Sequence, residues 1–334
     1  MGKKTSINAN LCYDLPHLTR VLTFLDCVLA YFNFHTFFIV TLLLTFSTNS
    51  QSNNLQASEV SPSDVLTTSV VRTNTTHLTN DLRVHYKNRV LSLALEKTVA
   101  THGPYKVEYI ELFTTSARTA SEVQSGKIIN LFIGVTTQER EEATIPIRIP
   151  IRRGILNYRV LAIHENNLNK FSTVTELSEL KKLAAGLRVG WATTDIFKKQ
   201  SFSHYELVSL DGLYNMLNHN VIDYIPRGIN EIYDEIAVRQ PNKVIVEPQL
   251  IIFLPAPTYI FVSPNEVRLA ERIEAGLEKM VSDGSLKALF YEFYTDDLEK
   301  ADINNRRVIT ITNPDLPKSI PFDRPELWFT NDDK

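Results

Sequence analysis

A short run of hydroxyls that ends in an arginine is the part of this sequence best suited to ligand chemistry. Residues 128–140 begin as an apolar run and continue through Thr136 and Thr137 to Arg140. The apolar run predicts a buried strand, and α/β proteins place ligands at the carboxyl ends of such strands. Threonine hydroxyls donate hydrogen bonds, and the planar guanidinium suits a carboxylate or phosphate. The pattern predicts an anion-binding loop, with a solvated surface turn at residues 139–142 as the alternative.

Polar residues also follow predicted strands in the second half of the chain. Thr193 and Thr194 open a predicted helix directly after a strand at 187–191, where unpaired N–H groups and the helix dipole favour an anion. Capping of that helix is the alternative role of Thr194. Arg227 follows a strand predicted at 221–225. The second half therefore offers its own set of anion-binding candidates.

Three further residues are candidates with a structural alternative. Trp191 and Tyr259 are expected near the site, where an aromatic ring either stacks on a ligand or packs between protein elements. Arg118 lies in a predicted helix and either contributes to the site or belongs to a solvated helix face.

No residue pattern predicts a cofactor or a metal site. The histidines lack metal-ligand spacing, and both cysteines, Cys12 and Cys27, lie near the N-terminus. Gly-rich phosphate loops and nucleophile elbows are not found. Asp195 and Glu231 are a conceivable carboxylate pair, but sequence does not set their separation. A binding role is therefore expected rather than an enzymatic one.

Length and charge limit the classes of partner. With 334 residues the chain exceeds one average domain, so two lobes or one large domain are expected. The net charge of -3 provides no basic surplus for a nucleic-acid backbone. The expected partner is a small molecule, attracted by local arginines.

The N-terminal segment has the order of an export signal. Lys3, Lys4 and Arg20 precede an apolar stretch at residues 21–46. A basic region followed by an apolar region predicts a signal peptide within residues 1–50; an uncleaved membrane anchor or a buried helix is the alternative. The Ser-, Asn- and Gln-rich residues 51–63 predict a linker. The remainder is expected in the periplasm, with the membrane contacted only through the leader.

The rest of the chain alternates between strand and helix patterns. Strands at 65–71 and 106–112, helices at 81–99 and 116–124, and the strand of the first paragraph form a βαβαβ run, which implies a parallel sheet covered by helices. Proline-containing segments then mark two passages between lobes. The predicted later elements are an edge segment at 145–151, strands at 156–163, 244–254, 258–262 and 308–311, and helices at 210–218, 230–238, 265–284 and 286–294.

The loop sequence G-V-T-T-Q-E-R at residues 134–140 resembles the G-x-T-x-T-x-E-R loop of the amino-acid-binding solute-binding proteins, family 3. It is one residue shorter than that pattern. Residues 146–150, 158–161 and 224–228 also resemble a diverged bacterial branch of that superfamily. The resemblance covers residues 65–294.

The resemblance implies an α/β fold of the type II periplasmic-binding-protein kind, with two lobes joined by two hinge crossings. Lobe 1 is expected at residues 64–155 plus 256–300 and lobe 2 at residues 156–255, with residues 301–334 as a tail packed on the surface. The implied function is capture of a small anionic or amino-acid-like ligand for an ABC permease. An extracytoplasmic sensor with a signalling partner is the alternative, and a dehydratase- or lytic-transglycosylase-like enzyme is a further one.

One departure from the family bears on the ligand. The arginine of the family loop, here Arg140, binds the ligand carboxylate, and a carboxylate shortly after the strand that carries Asp223 usually holds the ammonium. Arg227 occupies that neighbourhood here. We therefore expect Arg140 and Arg227 to face each other across the cleft, with hydrogen bonds from Thr137 and Thr193. The expected ligand has two anionic ends or lacks an amine.

Overall fold

The structure is a computed structural model that describes residues 67–75, 81–112, 116–240 and 243–330. The predicted leader and linker, residues 1–63, lie outside these ranges. Among the described helices, none combines the length and the apolar character needed to cross a bilayer.

Strands and helices alternate along most of the chain. The strands are β1 (Ser69–Thr75), β2 (Tyr105–Glu111), β3 (Leu131–Val135), β4 (Ile145–Ile147), β5 (Tyr158–His164), β6 (Ala185–Arg188), β7 (His204–Leu207), β8 (Tyr224–Gly228), β9 (Val244–Val246), β10 (Leu250–Phe253), β11 (Thr258–Val262) and β12 (Arg307–Thr310). The helices are α1 (Leu82–Glu96), α2 (Val99–His102), α3 (Ser116–Ser125), α4 (Gln138–Ala143), α5 (Leu168–Ser172), α6 (Leu177–Leu180), α7 (Ala192–Lys199), α8 (Leu210–Asn218), α9 (Ile229–Arg239), α10 (Val267–Ser282) and α11 (Ser285–Ala301).

The strands form two sheets. The first has the order β2-β1-β3-β11-β4, in which β1 is parallel to β2 and β3, and β11 is antiparallel to β3 and β4. The second has the order β12-β10-β5-β8-β6-β7, with β9 also paired to β5. We call the first sheet with α1, α3, α4, α10 and α11 lobe 1, and the second sheet with α7, α8 and α9 lobe 2.

The local patterns predicted most of these elements. The parallel β1-β2-β3 arrangement follows from the βαβαβ run, and the proline-containing β4 lies at a sheet edge because proline cannot donate to a ladder. The single long strand predicted at 244–254 is wrong. The carboxylate of Glu247 accepts hydrogen bonds from the backbone N–H groups of Gln249 and Leu250, and Pro248 lacks an N–H, so the chain turns between β9 and β10.

The C-terminal segment, residues 302–330, contacts both lobes. Its strand β12 extends the second sheet beside β10, and Asp315 forms an ion pair of 2.5 Å with Lys199 of α7. Arg324 then pairs with Glu278 of α10, in lobe 1, with N–O distances of 2.6 and 2.9 Å. The segment predicted as a surface tail therefore supplies a sheet strand and connects the two lobes.

Candidate functional site

A cavity of about 370 Å³ lies between the two lobes. Lobe 1 lines it with the ends of β1 and β3 and with residues of α1, α3 and α4; lobe 2 lines it with β5, the turn from β6 to α7, β8 and the first turn of α9. The volume is in the range of small-molecule sites, about 300–1,000 Å³. Among the described residues, its charged lining consists of four cationic side chains and a single carboxylate: Lys87, Arg140, Arg159, Arg227 and Glu231.

The loop predicted after β3 is instead the short helix α4, which carries Arg140 to the cavity. Thr137 caps this helix, because its Oγ1 accepts a hydrogen bond of 3.3 Å from the Arg140 backbone N–H. The Oγ1 of Thr136 donates to Glu141 at 2.7 Å. Both hydroxyls are therefore bonded within the protein, that of Thr136 to a side chain and that of Thr137 to a backbone N–H, and neither residue is among the described lining of the cavity. Acidic residues directly after a threonine, here Glu139 and Glu141 after Thr137, are the local pattern typical of such a helix start.

Arg140 lies against the end of β3. Its Nη1 donates to the Val135 carbonyl, and its guanidinium lies 5.8 Å from the centroid of the Phe132 ring. Burial lowers the pKa of Arg140, with Glu139 and Asp195 acting in the opposite direction. Burial thus removes part of the hydration of the Arg140 charge, and a bound anion would compensate for that loss.

Arg227 also reaches the cavity, but the protein already neutralises it. The Nε and Nη2 atoms of Arg227 donate to Glu235 at 2.8 and 2.5 Å, and Glu231 lies 3.2 Å away. The guanidinium stacks on Trp191 at 4.2 Å from its ring. Burial would lower the pKa of Arg227, but Glu231 and Glu235 outweigh it and raise that pKa. Arg140 and Arg227 line the same cavity from opposite lobes. Arg227 is already paired with Glu231 and Glu235, so Arg140 is the better candidate to bind an anion.

Sequence reasoning missed the role of Glu231 as the carboxylate of the cavity. Glu231 lies on the first turn of α9, accepts from the Gly228 N–H at 3.0 Å, and has Arg159 at 3.7 Å and Arg83 at 3.5 Å. Burial opposes its ionisation, but Arg227, Arg159 and Arg83 outweigh burial and lower its pKa to about 2. A carboxylate therefore does lie shortly after β8, on the first turn of α9, where it pairs with Arg227 and is not replaced by it.

Two cations of the cavity were also missed. Burial, with Arg152 nearby, lowers the pKa of Lys87 to about 8, and no described residue gives this lysine a hydrogen bond or ion pair. Burial lowers the pKa of Arg159 to about 10 although Glu231 acts in the opposite direction. The buried Nε of Arg159 has no hydrogen-bond partner in the described ranges. Lys87 lies four residues after Arg83 on one helix face, a spacing that could have indicated a shared surface.

The remaining candidates fall in three places. Thr193 and Trp191 line the cavity. Thr194 closes the turn before α7, because its Oγ1 donates to the Arg188 carbonyl at 2.7 Å. Tyr259 is fully buried beside Phe261, with ring centroids 6.3 Å apart.

Two more predicted candidates lie outside the cavity. Arg118 is on the outer face of α3 with 74% of its side chain exposed, and its Nε is 3.9 Å from Glu122. Asp195 lines a separate, more open depression beside Thr137, Lys198 and Lys199. The structure therefore does not bring Asp195 and Glu231 together in one cavity.

Comparison with known proteins supports the fold and leaves the ligand open. No family model matches the chain, and no curated protein matches it. An ancestral arginine-binding protein bound to arginine is 18% identical, with a TM-score of 0.51 over 67% of this chain and 98% of that one. A probable amino-acid ABC transporter extracellular-binding protein from Bacillus subtilis is 17% identical, with a TM-score of 0.53 over 70% of this chain and 99% of that one.

A third structure extends the comparison. An ancestral amino acid-binding protein, described as a precursor of cyclohexadienyl dehydratase, is 14% identical, with a TM-score of 0.50 over 67% of this chain and 95% of that one. At these identities the likeness shows the fold: the chain has the α/β architecture of type II periplasmic binding proteins. The fold implied by the sequence resemblance is confirmed.

Proposed function

We propose that this chain is an exported solute-binding protein that captures a small anionic solute in the cavity between its lobes. The observation that carries the proposal is the charge of the described lining. Lys87, Arg140 and Arg159 are cations with lowered pKa values, and Glu231, the one carboxylate in that described lining, is already shared among arginines. A bound anion would replace the solvation that burial has removed from these groups. The fold and the names of the similar structures support a binding role in uptake.

In this proposal Arg140 binds an anionic group of the solute. Trp191 and Thr193, from the other lobe, complete the site by ring contact and hydrogen bonding. Thr136, Thr137 and Thr194 hold the backbone that positions the site, since their hydroxyls are used within the protein. Arg227 orients Trp191 and Glu231. Binding favours the closed arrangement because the solute contacts both lobes.

The partner in uptake would be an ABC permease, with the binding protein acting outside the cytoplasm. This part of the proposal rests on the names of the similar structures, one of which is an extracellular-binding protein of an ABC transporter. A strain that lacks the gene should lose uptake of the solute. If uptake is unchanged while the purified protein still binds the solute, the transport role is wrong and the binding role stands.

Calorimetry of the purified full chain against L-leucine, acetate, glutarate and phosphate tests the binding role. We expect one of the anions to bind and L-leucine not to bind. Arg140→Met should weaken anion binding by about 2–4 kcal/mol, the usual loss when a desolvated charge partner is truncated. The exposed Arg118 gives a matched control, Arg118→Met. Tight binding of L-leucine, or normal anion binding by Arg140→Met, would overturn the proposal.

An enzymatic role is distinguished by the products. One similar structure is a precursor of a dehydratase, so the fold is compatible with catalysis in other proteins. We expect the bound anion to be recovered unchanged after prolonged incubation with the protein, as mass spectrometry of the mixture would show. Turnover of the anion would replace the binding role by an enzymatic one.

A further inference from the structure

We infer that the solute carries two separated anionic groups, one bound by Arg140 and the other bound by Lys87 and Arg159. The inference rests on the proposed function and names the class of its ligand. We call the first position, formed by Arg140 against β3, the β3 pole. We call the second, formed by Lys87 of α1 and Arg159 of β5, the α1 pole.

The β3 pole is a single cation with its contacts in one strand. Arg140 touches the carbonyl of Val135 and the ring of Phe132, and the charged groups that influence it are Glu139 and Asp195. Both carboxylates line the outer depression rather than the cavity. The ion pairs described for Glu231, the carboxylate in the described lining of the cavity, are with Arg83, Arg159 and Arg227 and not with Arg140.

The α1 pole belongs to a larger group of charges with a cationic excess. Lys87 is influenced by Arg152, Asp81 and Arg83, and Arg159 is influenced by Glu231, Arg227 and Arg152. Together with Glu235, which pairs with Arg227, this group holds five cations and three carboxylates: Lys87, Arg83, Arg152, Arg159, Arg227, Asp81, Glu231 and Glu235.

The carboxylates of this group are committed to other partners. Asp81 pairs with Arg83 at 2.8 Å, and Glu231 and Glu235 both pair with Arg227 at 3.2 and 2.5 Å. Lys87 has no partner among the described residues, and Arg159 has an unsatisfied Nε and a distant contact, 3.7 Å, to Glu231. The buried Nε of Arg159 without a described partner is costly, and the half-buried Lys87 adds a second positive charge beside it, so this end of the cavity also favours an anion.

The two poles are separate. All three side chains line one cavity, but Arg140 donates to the Val135 carbonyl at the end of β3, whereas Arg159 lies 3.7 Å from Glu231. The same carboxylate lies 3.5 Å from Arg83, which is one helical turn before Lys87 on α1. The lining therefore offers cations to more than one anionic group. A solute with an anionic group at each end satisfies both poles, whether the groups are two carboxylates or a carboxylate and a phosphate.

The test compares glutarate with its monomethyl ester, which has the same backbone and one charge less. Calorimetry of the full chain at pH 7 should show glutarate binding about 30-fold more tightly than the ester. Malonate, succinate and adipate give the preferred spacing, and 3-phosphonopropionate replaces one carboxylate by a phosphorus acid. A preference for any of these dianions over the matched monoanion supports the inference.

Variants of Lys87 assign the second anionic group to the α1 pole. Lys87→Met should reduce the preference for glutarate over the ester, because it removes one of the two cations of the α1 pole, and Arg140→Met should reduce the same preference from the other pole. The wild-type preference should decline above pH 8, as Lys87 loses its proton, and Lys87→Arg should retain it at pH 9 because a guanidinium stays charged. Lys87→Arg also serves if Lys87→Met fails to fold.

The outcomes separate this inference from the function it rests on. Equal binding of glutarate and its ester, or a preference that is not reduced in Lys87→Met, would overturn the two-pole inference and leave anion binding in place. Failure of every anion to bind would overturn the proposed function itself.

Discussion

Two buried arginines, Arg272 in lobe 1 and Arg159 at the cavity, have opposite surroundings. Arg272 is 0% exposed, and its N–H groups donate hydrogen bonds to oxygen atoms of neighbouring residues. It donates to the Oγ atoms of Thr98 and Ser69 and to the carbonyls of Leu95, His102, Gly103 and Pro104. Arg159 is 6% exposed, with an Nε that lacks a partner among described residues and a carboxylate 3.7 Å away.

The difference teaches how to recognise a ligand-binding arginine by its hydrogen bonds. Burial lowers the pKa of both residues, so the pKa alone does not distinguish them. Arg272 is solvated by carbonyl dipoles from the end of α1 and the segment before β2, where a cation is favoured at a helix C-terminus. Arg159 retains donor capacity beside a cavity. The satisfied donors of Arg272 indicate a structural role, and the unused donor of Arg159, together with its place in the cavity lining, indicates a site.

The largest expected effect is on the structural side of this comparison. Arg272→Met removes a buried cation and leaves several oxygens without donors, so we expect the free energy of unfolding to fall by about 3–5 kcal/mol in urea titrations. Arg89→Met, which removes a half-exposed arginine of α1, is the control. A loss below about 1 kcal/mol for Arg272→Met would show that hydrogen-bond satisfaction does not mark a structural arginine.

The next effect concerns Glu231. This carboxylate is the charged partner near Arg159, whereas Arg272 is surrounded by carbonyl groups. Its pKa of about 2 lies below the ordinary 4.5, so it stabilises the fold above pH 4.5, and this contribution is lost as the pH falls towards 2. Unfolding free energies of wild type and Glu231→Gln should differ by roughly 3 kcal/mol at pH 7 and converge in acid. A difference that is independent of pH would contradict this role.

A smaller effect is expected for Arg159, the cavity arginine of the comparison. Its substitution should change the affinity for the ligand and not the stability of the fold. Arg159→Met should leave the free energy of unfolding within about 1 kcal/mol, since Glu231 keeps Arg227 and Arg83 as partners. Glutarate binding should weaken by about 2 kcal/mol in calorimetry. If Arg159→Met behaves like Arg272→Met, with a large loss of stability and unchanged binding, the two arginines are of the same kind.

The smallest effect is expected for Arg118, predicted from sequence as a ligand-binding candidate. With 74% of its side chain exposed on α3, Arg118→Met should change glutarate affinity by less than about 0.5 kcal/mol. A larger loss would place α3 in the site and extend the comparison to exposed arginines.

Local sequence patterns predicted the fold well because the spacing of apolar residues within each segment indicates whether it is a strand or a helix. The alternation up to β3, the edge position of β4 and the strand β11 are read from neighbouring residues. The site depended on pairings that local patterns do not contain. Arg83 reaches Glu231 across 148 positions of sequence, and the neutralisation of Arg227 depends on which face of α9 turns inward. Arg140 was found because its loop carries a motif, whereas Lys87 has none.

The C-terminal segment has a mechanical consequence for closure. The lobes are joined where β4 leads into β5 and where β10 leads into β11, and two such crossings leave both bending and twisting available. Residues 302–330 add a third tie, fixed to α7 through Asp315 and to α10 through Arg324. Because this third connection contacts both lobes away from the two crossings, it restricts how far the lobes can twist against each other during closure.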